Sequence, residues 1–185
     1  IVMDNGETLQ KQIDGITITP SKKVLYLGGN MDKSTTLSVK LPEILKTEIE
    51  NGSSSYTISY TSGNSKIATV TSNGKVTAKK AGTAVITTVI NVNGIERSIQ
   101  TKITVKKAYI KLIKSTVSMK EGEQYTFQAK GYGIDTAKIT WTTSENAIVV
   151  INKKSGSATA KTTGTDFVIA KYKDISVKMK VIVKK

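Results

Sequence analysis

The chain contains no histidine and no cysteine. Without Cys there is no disulfide, no thiol nucleophile, no iron–sulfur cluster and no zinc site of the Cys/His type. Without His there is no Ser-His-Asp triad, no haem His ligand and no imidazole general base. Aromatic residues make up only 5% and proline occurs twice, so collagen-like and Pro-rich readings fail. No apolar run approaches the roughly 18 residues of a membrane helix, and membrane insertion is not expected. Arginine is nearly missing too: Arg97 stands alone among 28 basic residues. Specific reading of phosphates and base edges leans on the bidentate guanidinium fork, so no specific nucleic-acid partner is expected.

What is present is 185 residues with a net charge of +14. That length suits one or two domains. The charge is uneven: residues 1–13 sum to −1, 14–106 to +6 and 107–185 to +9. A lysine-rich surface keeps a protein soluble and attracts polyanions without reading their sequence. The chain opens at Ile1 with no signal-like hydrophobic stretch and reads as a mature product or a piece of something longer, which leaves secretion open.

The sequence repeats itself. Ile58-Ser59-Tyr60-Thr61-Ser62 matches Ile139-Thr140-Trp141-Thr142-Thr143, and ten residues after each ring come Val70 and Ile151. Asn73-Gly74-Lys75-Val76-Thr77-Ala78-Lys79 then matches Ser155-Gly156-Ser157-Ala158-Thr159-Ala160-Lys161, and Ala81-Gly82-Thr83 matches Thr163-Gly164-Thr165. The copies also end alike, at Lys106-Lys107 and Lys184-Lys185. Pair offsets change from 93 at Val24/Val117 to 81 at Tyr60/Trp141, which places about 12 extra residues of the first copy within 41–55. Four more fall around 91–94, where Asn93-Gly94 predicts a hairpin turn.

Thr35-Thr36-Leu37-Ser38-Val39, Tyr56-Thr57-Ile58-Ser59-Tyr60, Tyr125-Thr126-Phe127-Gln128-Ala129 and Ser176-Val177-Lys178-Met179-Lys180-Val181 alternate with period two, the mark of half-buried strands. The one helix-like piece spans 42–50, with Pro42 at its start. Each copy carries about seven short strands, which predicts an all-β chain of two tandem immunoglobulin-like Greek-key β-sandwiches, over 14–106 and 107–185. Residues 1–13 are expected to be a leader or linker. No flexible spacer separates the copies, because Val105-Lys106-Lys107-Ala108-Tyr109 runs from one strand into the next, so a restricted hinge between separate cores is expected.

The run Tyr60 to Val70, with its Ile67-Ala68-Thr69-Val70, followed by Gly74-Lys75-Val76-Thr77-Ala78 and Gly82-Thr83-Ala84-Val85-Ile86, resembles the bacterial immunoglobulin-like domain, group 2. Ile16-Thr17-Ile18-Thr19-Pro20 fits that family's opening strand. The second copy is looser: Ala147-Ile148-Val149-Val150-Ile151 stands for Ile-Ala-Thr-Val, and Ala158 replaces a valine. The resemblance covers residues 14–185. It implies an extracellular β-sandwich of bacterial and phage surface proteins, used as spacer or adhesive module, with no catalytic residues.

The motif residues also have a purely structural reading. Tyr60 and Trp141 are expected at the sandwich centres, with Val70, Val76, Ala78 and Ile86 around Tyr60. Gly74, Gly156, Gly82 and Gly164 are expected in tight turns. Glu121 and Glu123 flank Gly122 in a predicted turn and should splay into water rather than pair for acid–base work. Calcium needs six to eight clustered oxygens, and the six Asp are scattered with no D-x-D pattern. No cofactor is expected, with weak calcium binding at Glu121, Glu123 or Asp135 left open. Tyr132, then Tyr109 and Tyr172, are the candidate exposed rings for sugar binding. Lys178, Lys180 and Lys184 alternate with apolar residues, as lysines on the outer face of a sheet do.

The expected function is therefore a non-catalytic cell-surface module, a rod-like spacer or adhesion segment of a larger bacterial surface protein, extracellular or secreted. The alternative is a carbohydrate- or anionic-polymer-binding accessory domain of a cell-wall enzyme or anchor. Expected partners are a host receptor, a cell-wall polymer or neighbouring domains of the same protein, with the chain itself a monomer. The sequence assigns no catalytic, metal or ligand-binding residue.

Overall fold

The computed structural model describes residues 8–144 and 147–185. The chain is all-β apart from two short helices and one 3-10 turn. It divides into two compact units. The first comprises the chain through Leu27 together with Asp32–Lys106, and the second comprises Gly28–Met31 with Lys107–Lys185. Each is an immunoglobulin-like sandwich.

In the first unit, β1 (Thr17–Pro20), β3 (Ser34–Lys40), β6 (Lys75–Ala78) and β5 (Ala68–Val70) form one sheet in the order β1-β3-β6-β5. The facing sheet has the order β2-β8-β7-β4, from β2 (Val24–Leu27), β8 (Ile95–Lys107), β7 (Gly82–Val92) and β4 (Tyr56–Ser62). β1 and β2 are successive lengths of one segment that changes sheets at residues 21–23. Buried Thr35 fixes the change: its hydroxyl accepts the Lys22 N–H at 2.9 Å and shares a 2.9 Å hydrogen bond with Ser21 Oγ. Counting β1 and β2 as one gives the seven strands the repeat predicts.

The second unit repeats this order. β10 (Thr116–Lys120), β17 (Ile175–Lys184), β16 (Gly164–Tyr172) and β13 (Thr140–Thr143) form the sheet β10-β17-β16-β13. Opposite lie β11-β15-β14 (Gln124–Thr126, Ser157–Ala160, Val149–Ile151) and the pair β12-β9 (Ala129–Tyr132, Tyr109–Leu112). β11 and β12 together occupy the place of β3. The break falls at Phe127 and Gln128, where the Phe127 N–H leaves the ladder and donates to Gly156 O at 2.9 Å.

The length differences fall where the offsets put them. Within 41–55 lies α2 (Glu43–Glu50), the predicted helical piece. β7 has 11 residues against nine in β16, and β8 has 13 against ten in β17, so the first hairpin is longer. Its two-residue turn is Asn93 (φ 52°) and Gly94 (φ 86°), with Val92 opposite Ile95. Positive φ at both central residues matches the right-handed twist of the strands.

Alternation places the cores. Along β7 the buried positions are Ala84, Ile86, Thr88, Ile90 and Val92, every second residue. In the first unit Leu25, Leu37, Ala68, Val76, Ile86 and Ile103 form the central cluster. A second cluster joins Leu9, Ile13, Ile16 and Leu45 to Ile90 and Val92. Of the leader or linker expected at 1–13, residues 1–7 lie outside the described residues, while the remainder packs onto the first unit. Residues 9–14 form α1 (Leu9–Asp14), capped by the Thr8 hydroxyl, with Leu9 and Ile13 essentially solvent-free. The apolar spacing of Leu9, Ile13 and Ile16 gives this short helix one face to bury, and α2 with the long hairpin supplies the surface. The second unit's interior is built from Val117, Met119, Phe127, Trp141, Val168, Met179 and Val181.

Candidate functional site

The repeated motif goes into packing. Trp141 is 6% exposed, and its ring lies over the turn glycine Gly156, whose φ is +72°. A Cβ there would meet Phe127 O at 2.8 Å and the indole Nε1 and Cε2 at 3.0 Å. The first unit has the same arrangement with a smaller ring. Gly74 (φ +74°) would put a Cβ 3.0 Å from Tyr60 Cζ. Each glycine thus serves a left-handed turn and a ring-to-backbone contact at once. Tyr60 and Val70 pack against the core cluster that contains Val76, Ala78 and Ile86, but Tyr60 is only partly buried and does not fill the sandwich centre. Burial raises its phenol pKa; that of Tyr56 is raised by burial and then by the neighbouring Tyr60. The centre of the second unit belongs to Phe127, 1% exposed, with Trp141 tilted beside it at 6.3 Å between ring centroids.

The three candidate sugar-binding tyrosines separate. Tyr172 is buried, 6% exposed, so it offers no ring to a ligand. It sits on the inward register of β16, whose alternation the hairpin turn at Lys173 and Asp174 does not interrupt. Tyr109 and Tyr132 lie opposite one another on β9 and β12 and stack at 4.6 Å with 8° between their planes. Lys130 Nζ stands 5.5 Å from the Tyr132 ring centroid. This pair, with Tyr109 exposed and Tyr132 half-buried, is an aromatic feature the sequence could not assemble, because 22 residues lie between the rings and only the β9–β12 register joins them.

The carboxylates serve local turns. Glu123 accepts the Lys120 N–H at 2.7 Å, and Asp135 accepts the Ala137 N–H at 3.0 Å at the start of the 3-10 turn Thr136–Lys138. Among the described residues no three His, Cys, Asp or Glu gather as metal ligands would. Asp166 is a residue the sequence reading missed. It is fully buried, accepting Ser144 Oγ at 2.8 Å and the Phe167 N–H at 2.6 Å, at the register position Ala84 holds in the first unit. Its signal was the acid at an inward step of an alternating strand.

A shallow cleft of about 320 Å³ in the second unit is floored by Phe127, Ile139 and Trp141, with Lys154 at its edge. Gln128, Thr136 and Ser155 share its lining, and no carboxylate lies among the lining residues. Arg97, the single arginine, is also spent on structure. Its Nη1 donates to Ile16 O at 2.8 Å and to Ile13 O, holding the end of α1. Among the described residues no helix is long and apolar enough to cross a membrane.

The family model for the bacterial Ig-like domain (group 2) matches residues 12–98. No curated protein matches the chain. Among solved structures it is similar to domains 4 and 5 of the S-layer protein SbsC, at 19% identity over 92% of this chain and 98% of that one, with a TM-score of 0.47. A structure of SbsC domains 4–9 gives 18% identity over 91% and 30%, TM-score 0.48. A C-terminal fragment of intimin, solved with the intimin-binding domain of its translocated receptor, gives 18% over 91% and 64%, TM-score 0.36. The match to the bacterial Ig-like domain (group 2) thus falls on the first of the two sequence repeats, over residues 12–98.

Proposed function

We propose that the chain is a non-catalytic segment of a larger bacterial surface protein, made of two Ig-like domains (14–106 and 107–185, with α1 added to the first) and serving as a spacer or adhesion module outside the cell. Partners would be a receptor, a cell-wall polymer or adjoining domains. The observation that carries this reading is how the family motif is used. Tyr60, Trp141, Gly74 and Gly156 are committed to packing and turns, and among the described residues no three His, Cys, Asp or Glu gather near one another. In both units the long β7–β8 and β16–β17 hairpins run through the sheet centres, and β10 pairs with β17 in parallel. Parallel pairing of a first and a last strand makes an end-to-end pull shear many hydrogen bonds together, which suits a load-bearing spacer.

Single-molecule stretching of the whole chain between handles at its ends tests this. Two unfolding events are expected, each releasing roughly 250–300 Å of chain at about 3.5 Å per residue. One event releasing the whole length, or extension without a force peak, would refute it.

A further inference from the structure

The outer face of the β10-β17-β16-β13 sheet collects positive charge that the fold does not require. Lys178, Lys180 and Lys184 on β17, Lys171 on β16 and Lys120 on β10 are all exposed. The registers bring them together: Lys120 stands beside Lys184, Lys180 beside Phe167, and Lys178 beside Ile169. From Lys178 to Lys184 is about 20 Å along the strand, and the four strands span roughly 15 Å. Between the lysines lie Thr116, Ser118, Thr142 and Thr165, and half-buried Phe167, Ile169 and Ile182.

No acid points outward from these four strands. Asp166 is turned inward and buried, Asp174 sits in the hairpin turn, and Glu121 and Glu123 follow the end of β10. No ion pair joins any of the five lysines to a carboxylate among the described residues. The same face of the first unit provides the control. There β7 and β8 present Thr83, Val85, Thr87, Val89, Ser98, Gln100 and Thr104, with charge only at Glu96, Lys102 and Lys106. The fold therefore tolerates a near-neutral face, and the five-lysine face of the second unit is an addition to it.

We propose that this face docks a linear, flexible, non-nucleic polyanion whose repeating phosphate groups lie along β17. Charge complementarity selects an anion, and lysines as mobile point charges suit a repeating chain without fixed stereochemistry. The one aromatic on the face is already covered: Lys178 Nζ sits 4.7 Å from the Phe167 ring centroid, so a nucleobase finds no open ring to stack on. Nor does a large apolar side chain protrude there as a membrane-inserting wedge. The exposed ones, Met31, Val85, Tyr109, Ile113 and Val150, lie on other segments. This surface would operate whether or not the chain also acts as a spacer.

The test uses the full chain and long-chain inorganic polyphosphate as probe, with binding followed by titration between 50 and 500 mM salt. About 0.7 unit of log–log salt slope per neutralised charge, over three to five contacts, predicts a slope of roughly −2 to −3.5. Replacing Lys120, Lys171, Lys178, Lys180 and Lys184 by Gln should weaken binding at least tenfold, by rough estimate, and flatten that slope. The matched variant has Lys33, Lys66, Lys75, Lys79 and Lys80 of the first unit changed to Gln. It carries the same net charge and should bind nearly as wild type. Should the fivefold variant not fold, K180Q/K184Q serves, and circular dichroism confirms the fold of each. Equal losses in both variants would mean diffuse attraction and overturn the proposal. So would tighter binding of an oligodeoxythymidylate of matched charge, or of vesicles with 30% anionic lipid.

Discussion

Substituting Gly156 by alanine isolates how the second sandwich is closed. Two costs arise together. Left-handed φ of +72° disfavours any residue with a Cβ by about 1–2 kcal/mol. The new methyl would also stand 2.8 Å from Phe127 O and 3.0 Å from the Trp141 ring. The carbonyl is fixed by its place between β11 and β12 and the ring by burial, so the contact is relieved only by shifting packed groups, at about 1–3 kcal/mol. The sum is roughly 2–5 kcal/mol, a large share of a small domain's stability. Gly74→Ala meets the same backbone term, but its nearest neighbour is the partly exposed Tyr60 ring, which can swing outward, so about 1–2 kcal/mol is expected. Trp141 is the only tryptophan, so its fluorescence during urea denaturation reports the second unit by itself. Gly156→Ala should lower that midpoint clearly. In a Trp141→Leu background, followed by circular dichroism, its cost should shrink by about 1 kcal/mol as the ring contact disappears. Equal costs for Gly74→Ala and Gly156→Ala, or no coupling to Trp141, would refute the ring-over-glycine account.

Three further outcomes follow from named contacts. Tyr56 and Tyr60 hold their protons more tightly folded than unfolded, so their contribution is fully present below pH 10 and lost as pH rises through their raised values. Phenolate absorbance should show Tyr56 and Tyr60 titrating above the usual phenol range, and alkaline destabilisation should lessen in Tyr60→Phe. Removing the Arg97 side chain leaves the Ile13 and Ile16 carbonyls without this partner; Arg97→Ala should cost about 1–3 kcal/mol and open residues 8–16 to proteolysis, a loss visible as early cleavage. Thr88 is fully buried, with no hydrogen-bond partner for its hydroxyl among the described residues. Thr88→Val should therefore raise the first unit's melting midpoint, by about 1 kcal/mol of stability. An unchanged or lower midpoint would mean the hydroxyl is satisfied.

Much of the fold was legible because period-two alternation and a repeated motif are strong local signals. The strand pattern of Ser176 to Val181, the Asn93-Gly94 turn and the helical insertion all emerge where side-chain spacing places them. What stayed hidden depended on distant partners. Leu9 and Ile13 read as linker because nothing local says that Ile90, Val92 and Leu45 wait to cover them. Tyr172 stood among the candidate exposed rings because only strand register decides which side of the sheet it takes. Tyr109 and Tyr132 were each visible, but their stacking is a property of the β9–β12 ladder. Arg97 was counted for its charge, while its role is fixed by two backbone carbonyls more than 80 residues earlier.

The two units show which part of such a sandwich is constrained and which is free. Several inward positions keep their chemistry between copies, as Val76 and Ala158 do at matched registers and Tyr60 and Trp141 do on a turn glycine, with Asp166 in the place of Ala84 the exception that a hydrogen-bonded Ser144 accompanies. Packing enforces that agreement, since a volume change inside is felt throughout a dense core. Outward positions answer only to solvent, and there the copies diverge, Thr87 and Gln100 on one face against Ile169 and Lys178 on the other. Solubility alone would be met by mixed charge spread over both units. Lys178 and Lys180 along β17, and Lys120 and Lys184 across the ladder, stand about 5–7 Å apart, within the Debye length at physiological salt, so these like-charge pairs cost stability unless an anion relieves them. On this physics the wild-type chain should gain thermal stability from millimolar polyphosphate, whereas the fivefold glutamine variant should not. A stabilising effect of equal size on both would place the anion elsewhere.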